Sequence, residues 1–395
     1  MQTKYILTLT ALFASVPTAF AQLTIPSDGS DGAFNPTANI EIDLSQAVAG
    51  TWNTNNATNA GLGIYDRDKW SVVFKYSSVN IPSGVTVSFK NHPSHAPVVW
   101  LVSGNVTIAG TVSVNGGDTI GYTDSLLAEP GPGGFRGGTS GPSSSGAGLG
   151  IGGGLNNGSN GSYAAVYGNP SIIPLIGGSG ACGSSGAYEG GGGGGAILIA
   201  APNSINLSLG EITACGGTGT PNRYPQGSGG AIRLIANSIG GSGNLRASAY
   251  HDGRPYPPGD GRIRIETNSF SSNVIPLPQT QVVPPPPAPV IWPASNAPTV
   301  SIASVAAVAA PAYPIASLDA GADVSISVNA ATQVILQTLN FPINGTVQVR
   351  SAGKFTDATW TTATFTSGDA AQATWTANVN FPIGFTTLQA RATIP

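Results

Sequence analysis

The chain has 395 residues, 55 of them glycine and 31 proline, with 8% charged side chains and a mean hydropathy of +0.11. Each glycine inside a helix costs roughly 1 kcal/mol against alanine, and no Ala-, Leu-, Glu- and Lys-rich periodic stretch compensates, so an almost entirely β chain is expected. A net charge of -3 without a polybasic run gives nucleic acid or an anionic membrane nothing to bind, and the glycines lack the every-third-residue spacing of collagen.

Residues 1–21 read as a secretory signal peptide: Lys4, the apolar run Tyr5–Val16, Pro17, then small Ala19 and Ala21 ahead of Gln22. That apolar core is too short to span a bilayer. The later apolar stretch from Val300 is broken by Pro311 and Pro314. A secreted chain is expected, extracellular, surface-held or periplasmic, with no membrane span.

In YDRDKW (Tyr65–Trp70), Asp66 and Asp68 lack the further oxygen ligands and turn glycine of a calcium loop, so a polar turn before the strand WSVVFKY is expected. His92 and His95 in KNHPSHAP are spaced like metal ligands, but no Cys or carboxylate nearby completes a site, and no metal or other cofactor is expected. VNIPSGVTVSFK (Val79–Lys90) and VVWLVSGNVTIAGTVSVNGG (Val98–Gly117) alternate apolar residues with period two, the mark of strands with one face on a core.

From about residue 118 to 193 runs a glycine-rich insertion, read either as a disordered loop or as extended, polyproline-II-like chain packed on its neighbours. Phe135, Leu149, Ile151, Tyr163 and Tyr167 give it something to bury. The two cysteines, Cys182 and Cys215, are a candidate disulfide in an oxidising compartment, closing a loop of about 30 residues.

AILIAAPNSI (Ala196–Ile205), AIRLIANSI (Ala231–Ile239) and RIRIETNSF (Arg262–Phe270) share one template: two apolar residues two apart, a short interval, then Asn-Ser and another apolar residue. One such unit cannot bury its apolar side alone, so the units are expected to stack as coils at about 4.8 Å. Ile197 and Ile199 then lie over Ile232 and Leu234, followed by Ile263 and Ile265. Asn203, Asn237 and Asn268 superpose as a structural ladder at a bend. Arg233 and Arg264, at one template position, are expected on an outward face, as a solvated column or a ladder for anionic polymer. The six glycines Gly190–Gly195, echoed by GSGG and GDG before the other copies, read as the mark where a coil begins. A phosphate loop would need a following helix, and AILIAAP is a strand.

Tyr224, Tyr250, His251, Asp252, Arg254, Tyr256 and Asp260, from RYPQ and YHDGRPYPPGDGR, combine aromatic faces with hydrogen-bonding and charged groups. They read as a carbohydrate-contacting loop or as a solvated turn covered by tyrosines. Residues 276–298 are proline-rich, a stiff spacer expected to hold the C-terminal residues away from the coils. Residues 299–395 show short alternating runs, with NFPINGTVQVR (Asn340–Arg350) echoed by NFPIGFTTLQAR (Asn380–Arg391), and suggest a small antiparallel β-sandwich.

The motifs NVTIAGTVSVNGG, GGGGGGAILIAA, GSGGAIRLIA and GDGRIRIE resemble those of secreted bacterial glycine-rich proteins, and the resemblance covers Val79 to Phe270. It implies a right-handed parallel β-helix over residues 22–275, and the last hundred residues look like an immunoglobulin-like module of bacterial surface proteins without a Cys-Trp-Cys core. No catalytic motif comes with it. A structural or adhesive surface protein contacting extracellular polysaccharide is expected. The alternative is a polysaccharide lyase or glycoside hydrolase, which needs carboxylates converging from neighbouring coils.

Overall fold

The computed structural model describes residues 22–119, 128–141, 145–155, 162–165, 167–184, 189–219, 225–249, 258–314, 321–327 and 331–395. The signal-peptide reading of residues 1–21 falls outside them. The protein is all-β: two parallel sheets precede two antiparallel ones.

Apolar residues at every second position build the parallel part. In the first sheet, Val72, Val98, Ile197, Ile232 and Ile263 lie in register, as do Phe74, Trp100, Ile199, Leu234 and Ile265. The expected alignment of the isoleucine and leucine positions is therefore present. Burying each such side chain contributes about 1.5–3 kcal/mol. Ser71–Ile81 and Ala231–Gly241 run straight through a bend at which the passages between them divide, into Val98–Val102 and Val106–Ile108, and into Ala196–Ala200 and Ser204–Leu207. The strand pairing consequently closes into a parallel, barrel-like ring.

The second parallel sheet aligns Val87, Val112, Ile212, Leu245 and Pro276. Its inward residues share one core with those of the first sheet, in which Trp100 contacts the rings of Tyr76 and of half-buried Phe34 and Phe89.

The other face of the first sheet is covered as well. Leu23, Ile25, Ile172, Leu175 and Ile291 pack on Val73, Val99, Leu101, Leu198 and Ile235. Burial on both faces explains why AILIA is continuously apolar. This cover corrects two expectations. Residues 276–298 do not stand off as a spacer: the strands Ile275–Leu277 and Val282–Val283 extend the two parallel sheets, and Ile291 packs on the first. Nor do Arg233 and Arg264 form a solvated column. Arg233 is buried, its Nε and Nη2 both 2.8 Å from Oε1 of buried Glu266, and Nη2 donates to the Val290 carbonyl at 2.7 Å. Arg264 Nε donates to the same oxygen at 2.8 Å. The apolar cover excludes the water that would have solvated Arg233, Arg264 stays partly exposed, and the two guanidinium groups share one carboxylate oxygen.

A third wall has no strands. Among the described residues from 128 to 195 none belongs to a strand, yet the backbone is densely hydrogen-bonded. The run Gly190–Gly195 shows the rule. The amides of Gly190 and Gly193 donate to the carbonyls of Gly138 and Phe135, those of Gly191 and Gly194 to Pro225 and Ser228, and those of Gly192 and Gly195 to Gly117 and Val114. Every third residue addresses the same neighbour, the three-residue turn of polyproline-II-type chain, which has no internal bonds and must find partners outside itself. A Cβ on Gly191 would stand 2.1 Å from the Gly217 oxygen, and one on Gly193 2.1 Å from that of Gly178. The six glycines are therefore the interior of a close-packed backbone layer, rather than only the mark of a coil's start. The packed, extended reading of the insertion holds for its described residues, and the described residues 214–219, 225–230 and 258–261 complete the wall, as in the bonds of Gly227 and Gly230 to Gly217 and Ala214 and of Gly229 to Gly259.

In the C-terminal module, one antiparallel sheet runs Val308–Ala309, Thr299–Val305, Ala331–Leu339, Gln372–Asn380, Thr364–Gly368, and the other Ala358–Thr362, Thr346–Gly353, Thr386–Thr393. Val334, Leu336, Phe341, Val347, Val349 and Trp375 fill its core. Both Asn-Phe-Pro-Ile copies carry the chain from the first of these sheets to the second, where the strands after them pair with each other.

Candidate functional site

A crevice opens where the parallel body, the glycine wall and the C-terminal module meet. A cavity of about 50 Å³ is lined by Trp70, Ser94, His95, Phe135, Arg136 and Leu149. A second, of about 30 Å³, shares Arg136 and Leu149 and continues along Thr139 and Ala147 to Lys354, Phe385 and Thr387.

Local geometry fixes its floor. Trp70 and His95 have positive φ, 46° and 53°, which turns the chain sharply at both points. Trp70 Nε1 donates to the Ser94 carbonyl at 2.9 Å, and the His95 carbonyl accepts from the Gly133 amide at 2.7 Å, tying the body to the glycine wall. The His92 ring lies 3.9 Å from that of Tyr65, with Nδ1 2.8 Å from Ser94 Oγ. Burial, then the Arg136 charge and His92, push the His95 pKa down to about 4. Glu129 Oε2 lies 3.5 Å from His95 Nε2 but on a side chain more than half exposed, so solvent screens its opposing pull and the imidazole is neutral near pH 7.

The crevice offers an indole edge, a phenyl ring, a mostly buried guanidinium and an exposed ammonium. Its size suits one substituent of a larger ligand. Among the described residues, no group of three His, Cys, Asp or Glu side chains gathers to hold a metal ion. Five of the six described carboxylates between residues 90 and 270 have separate surroundings: Asp118 accepts from Thr218, Glu129 faces His95, Glu211 faces Arg246, Asp260 caps Ala249, and Glu266 joins the arginines. The sixth, Glu189, is buried next to the glycine run.

Of the carbohydrate-contacting residues expected from sequence, Tyr224, Tyr250, His251, Asp252, Arg254 and Tyr256 lie outside the described residues. Asp260 Oδ1 accepts from the Ala249 amide at 3.2 Å. In the asparagine column, Asn268 Nδ2 donates to Asn237 Oδ1 at 3.0 Å, and the Asn203 carbonyl accepts from the Ser238 amide at 2.9 Å. Cys182 and Cys215 are not bonded to each other, against the candidate disulfide. The Cys182 thiol is held by the carbonyls of Gly146 and Gly183, at 3.2 and 3.0 Å, and burial pushes its pKa up to about 11. Cys215 Sγ instead faces the Arg246 carbonyl at 3.7 Å. Asp66 Oδ1 and Oδ2 accept from the amides of Lys69 and Trp52, the polar turn expected there.

Sequence reasoning missed Trp70 with Arg136 in one cavity and Arg136 with Lys354 in the other. They come from three regions far apart in the chain, with no local motif to announce them. Compared with protein-family models, curated proteins and solved structures, the chain matches none.

Proposed function

We propose that this chain is a secreted structural or adhesive protein, built as a right-handed parallel β-helix carrying an immunoglobulin-like module, that contacts extracellular polysaccharide. The observation that carries the reading is the unbroken register of Val72, Val98, Ile197, Ile232 and Ile263 through five successive passages of the chain. Stacked coils yield such columns, and right-handed crossovers are the strongly preferred connection between parallel strands. The separate surroundings of Asp118, Glu129, Glu211, Asp260 and Glu266 favour binding over hydrolysis or elimination. The crevice supplies the contact: Trp70 and Phe135 offer apolar ring surface to a sugar, while Arg136 and Lys354 favour an acidic one.

The test is a glycan array probed with residues 22–395, with release of reducing or unsaturated sugar ends measured on every polysaccharide bound. Binding to acidic polysaccharide without turnover is expected, weakened about tenfold or more by Trp70→Ala or Arg136→Gln. Steady release of sugar ends would replace this reading with the enzyme. Binding unaffected by both substitutions would move the contact away from the crevice.

A further inference from the structure

The C-terminal module touches the glycine wall through one side chain of unusual setting. Arg350, on the strand Thr346–Gly353, is fully buried. Its Nη1 donates to the carbonyls of Gly148 and Gly150 at 2.7 and 3.0 Å and to Gln389 Oε1 at 3.2 Å, while Nη2 donates to the Gly153 carbonyl at 3.2 Å. Among the described residues no carboxylate lies within ion-pair distance of it.

The receiving turn is shaped around this group. Gly150 has φ +92°, which a side chain would strain, and the Gly153 amide closes the turn on the Gly150 carbonyl at 3.0 Å. A Cβ on Gly153 would stand 2.1 Å from the Gly148 oxygen and 2.7 Å from Arg350 Nη1, so the glycine is required by the turn's own backbone as well as by the guanidinium. Gln389 Oε1 also accepts from the Gly150 amide at 3.2 Å, linking guanidinium and turn. Around this point the contact is small: Ala147 and Leu149 against Ala352 and Ala358, a bond from Thr139 to the Lys354 carbonyl, and one from the Ala147 amide to the Thr356 carbonyl. A few small apolar side chains bury little area, so the directed bonds of the guanidinium dominate the contact.

We infer that the turn Gly148–Gly153 is a guanidinium receptor with Arg350 as its resident ligand, which makes the C-terminal module a releasable clamp on the glycine wall. Three carbonyls spread over the two terminal nitrogens of one planar group, with Nε taking no part, suit a guanidinium better than an ammonium, whose donors point tetrahedrally from one nitrogen. With the clamp released, the carbonyls of Gly148, Gly150 and Gly153 meet water.

The test uses residues 22–395 and hydrogen exchange at the amides of residues 148–154, with exchange along the core strands Ala331–Leu339 and Gln372–Asn380 reporting whether the module stays folded. Arg350→Ala is expected to lower protection at residues 148–154 about tenfold or more, with protection of those two strands unchanged. Millimolar methylguanidinium should restore much of that protection, and methylammonium should not. Gln389→Ala should produce a smaller loss, about threefold, which methylguanidinium leaves unaltered. Wild-type protection in Arg350→Ala overturns the proposal. So does a loss that methylguanidinium fails to repair while the module remains folded, because Arg350 would then act through bulk alone. Should Arg350→Ala not fold, unchanged protection in Gln389→Ala serves as the overturning result.

Discussion

The parallel sheets and the glycine wall enclose one core by opposite means. In the sheets, side chains two residues apart are driven inward, and their burial supplies the stabilisation. Along Gly190–Gly195 in the wall there are no side chains to bury; the backbone is the packing material, and its amides turn to three neighbours with period three. The first design tolerates a change of shape at one position because neighbouring side chains can shift. The second puts backbone against backbone at distances that leave no room for a methyl group, so its tolerance is lower although its residues are the smallest there are.

This contrast breaks most sharply at Gly191. Gly191→Ala places a methyl group 2.1 Å from the Gly217 oxygen, where neither backbone can yield alone, and a loss upwards of about 3 kcal/mol is expected in urea unfolding. In the sheet core, Leu234→Ala removes a fully buried side chain from the aligned column and should cost about 2–5 kcal/mol, at the lower end if its neighbours relax into the space. Between the two regions sits His95. Its folded-state pKa of about 4 lies below the usual 6.5, so between those values the unfolded chain binds the proton and the folded chain does not. Its contribution is complete above about pH 6.5 and is lost as the pH falls towards 4, about 3 kcal/mol in all. The unfolding midpoint of His95→Asn should fall less over that window than the wild type's. The smallest effect sharpens the comparison from the other side. At Gly240, near the end of a sheet strand, an added methyl group would meet no atom within 4 Å, and φ is not positive, so Gly240→Ala should be neutral or raise stability by up to about 1 kcal/mol. A loss there as large as at Gly191 would erase the distinction between the walls.

The sheets were legible because their information sits in side chains. Ile197, Ile232 and Ile263 occupy one place in a visible template, and period two gives the register and the facing. The glycine wall was only partly legible: its period is three, and it is written in hydrogen-bond directions that a run of identical residues cannot display. Arg233 was hidden for another reason. The residues that bury it, around Val290 and Ile291, lie nearly sixty positions further along, in a stretch whose prolines look like a spacer. Cys182 and Cys215 look like partners along the chain, but each thiol is turned to a different carbonyl. The crevice escaped notice because Trp70, Arg136 and Lys354 come to line it only after the sheets, the wall and the module have formed.

The three-residue turn of Gly190–Gly195 also sets how this part of the gene can change length. Adding or deleting three codons within the wall advances the chain by one full turn, so every following amide still faces its former neighbour. A change of one or two codons rotates all the following amides onto the wrong neighbours at once. In the wall, length variation is thus quantised in steps of three, whereas the bends between sheet strands admit single-residue changes.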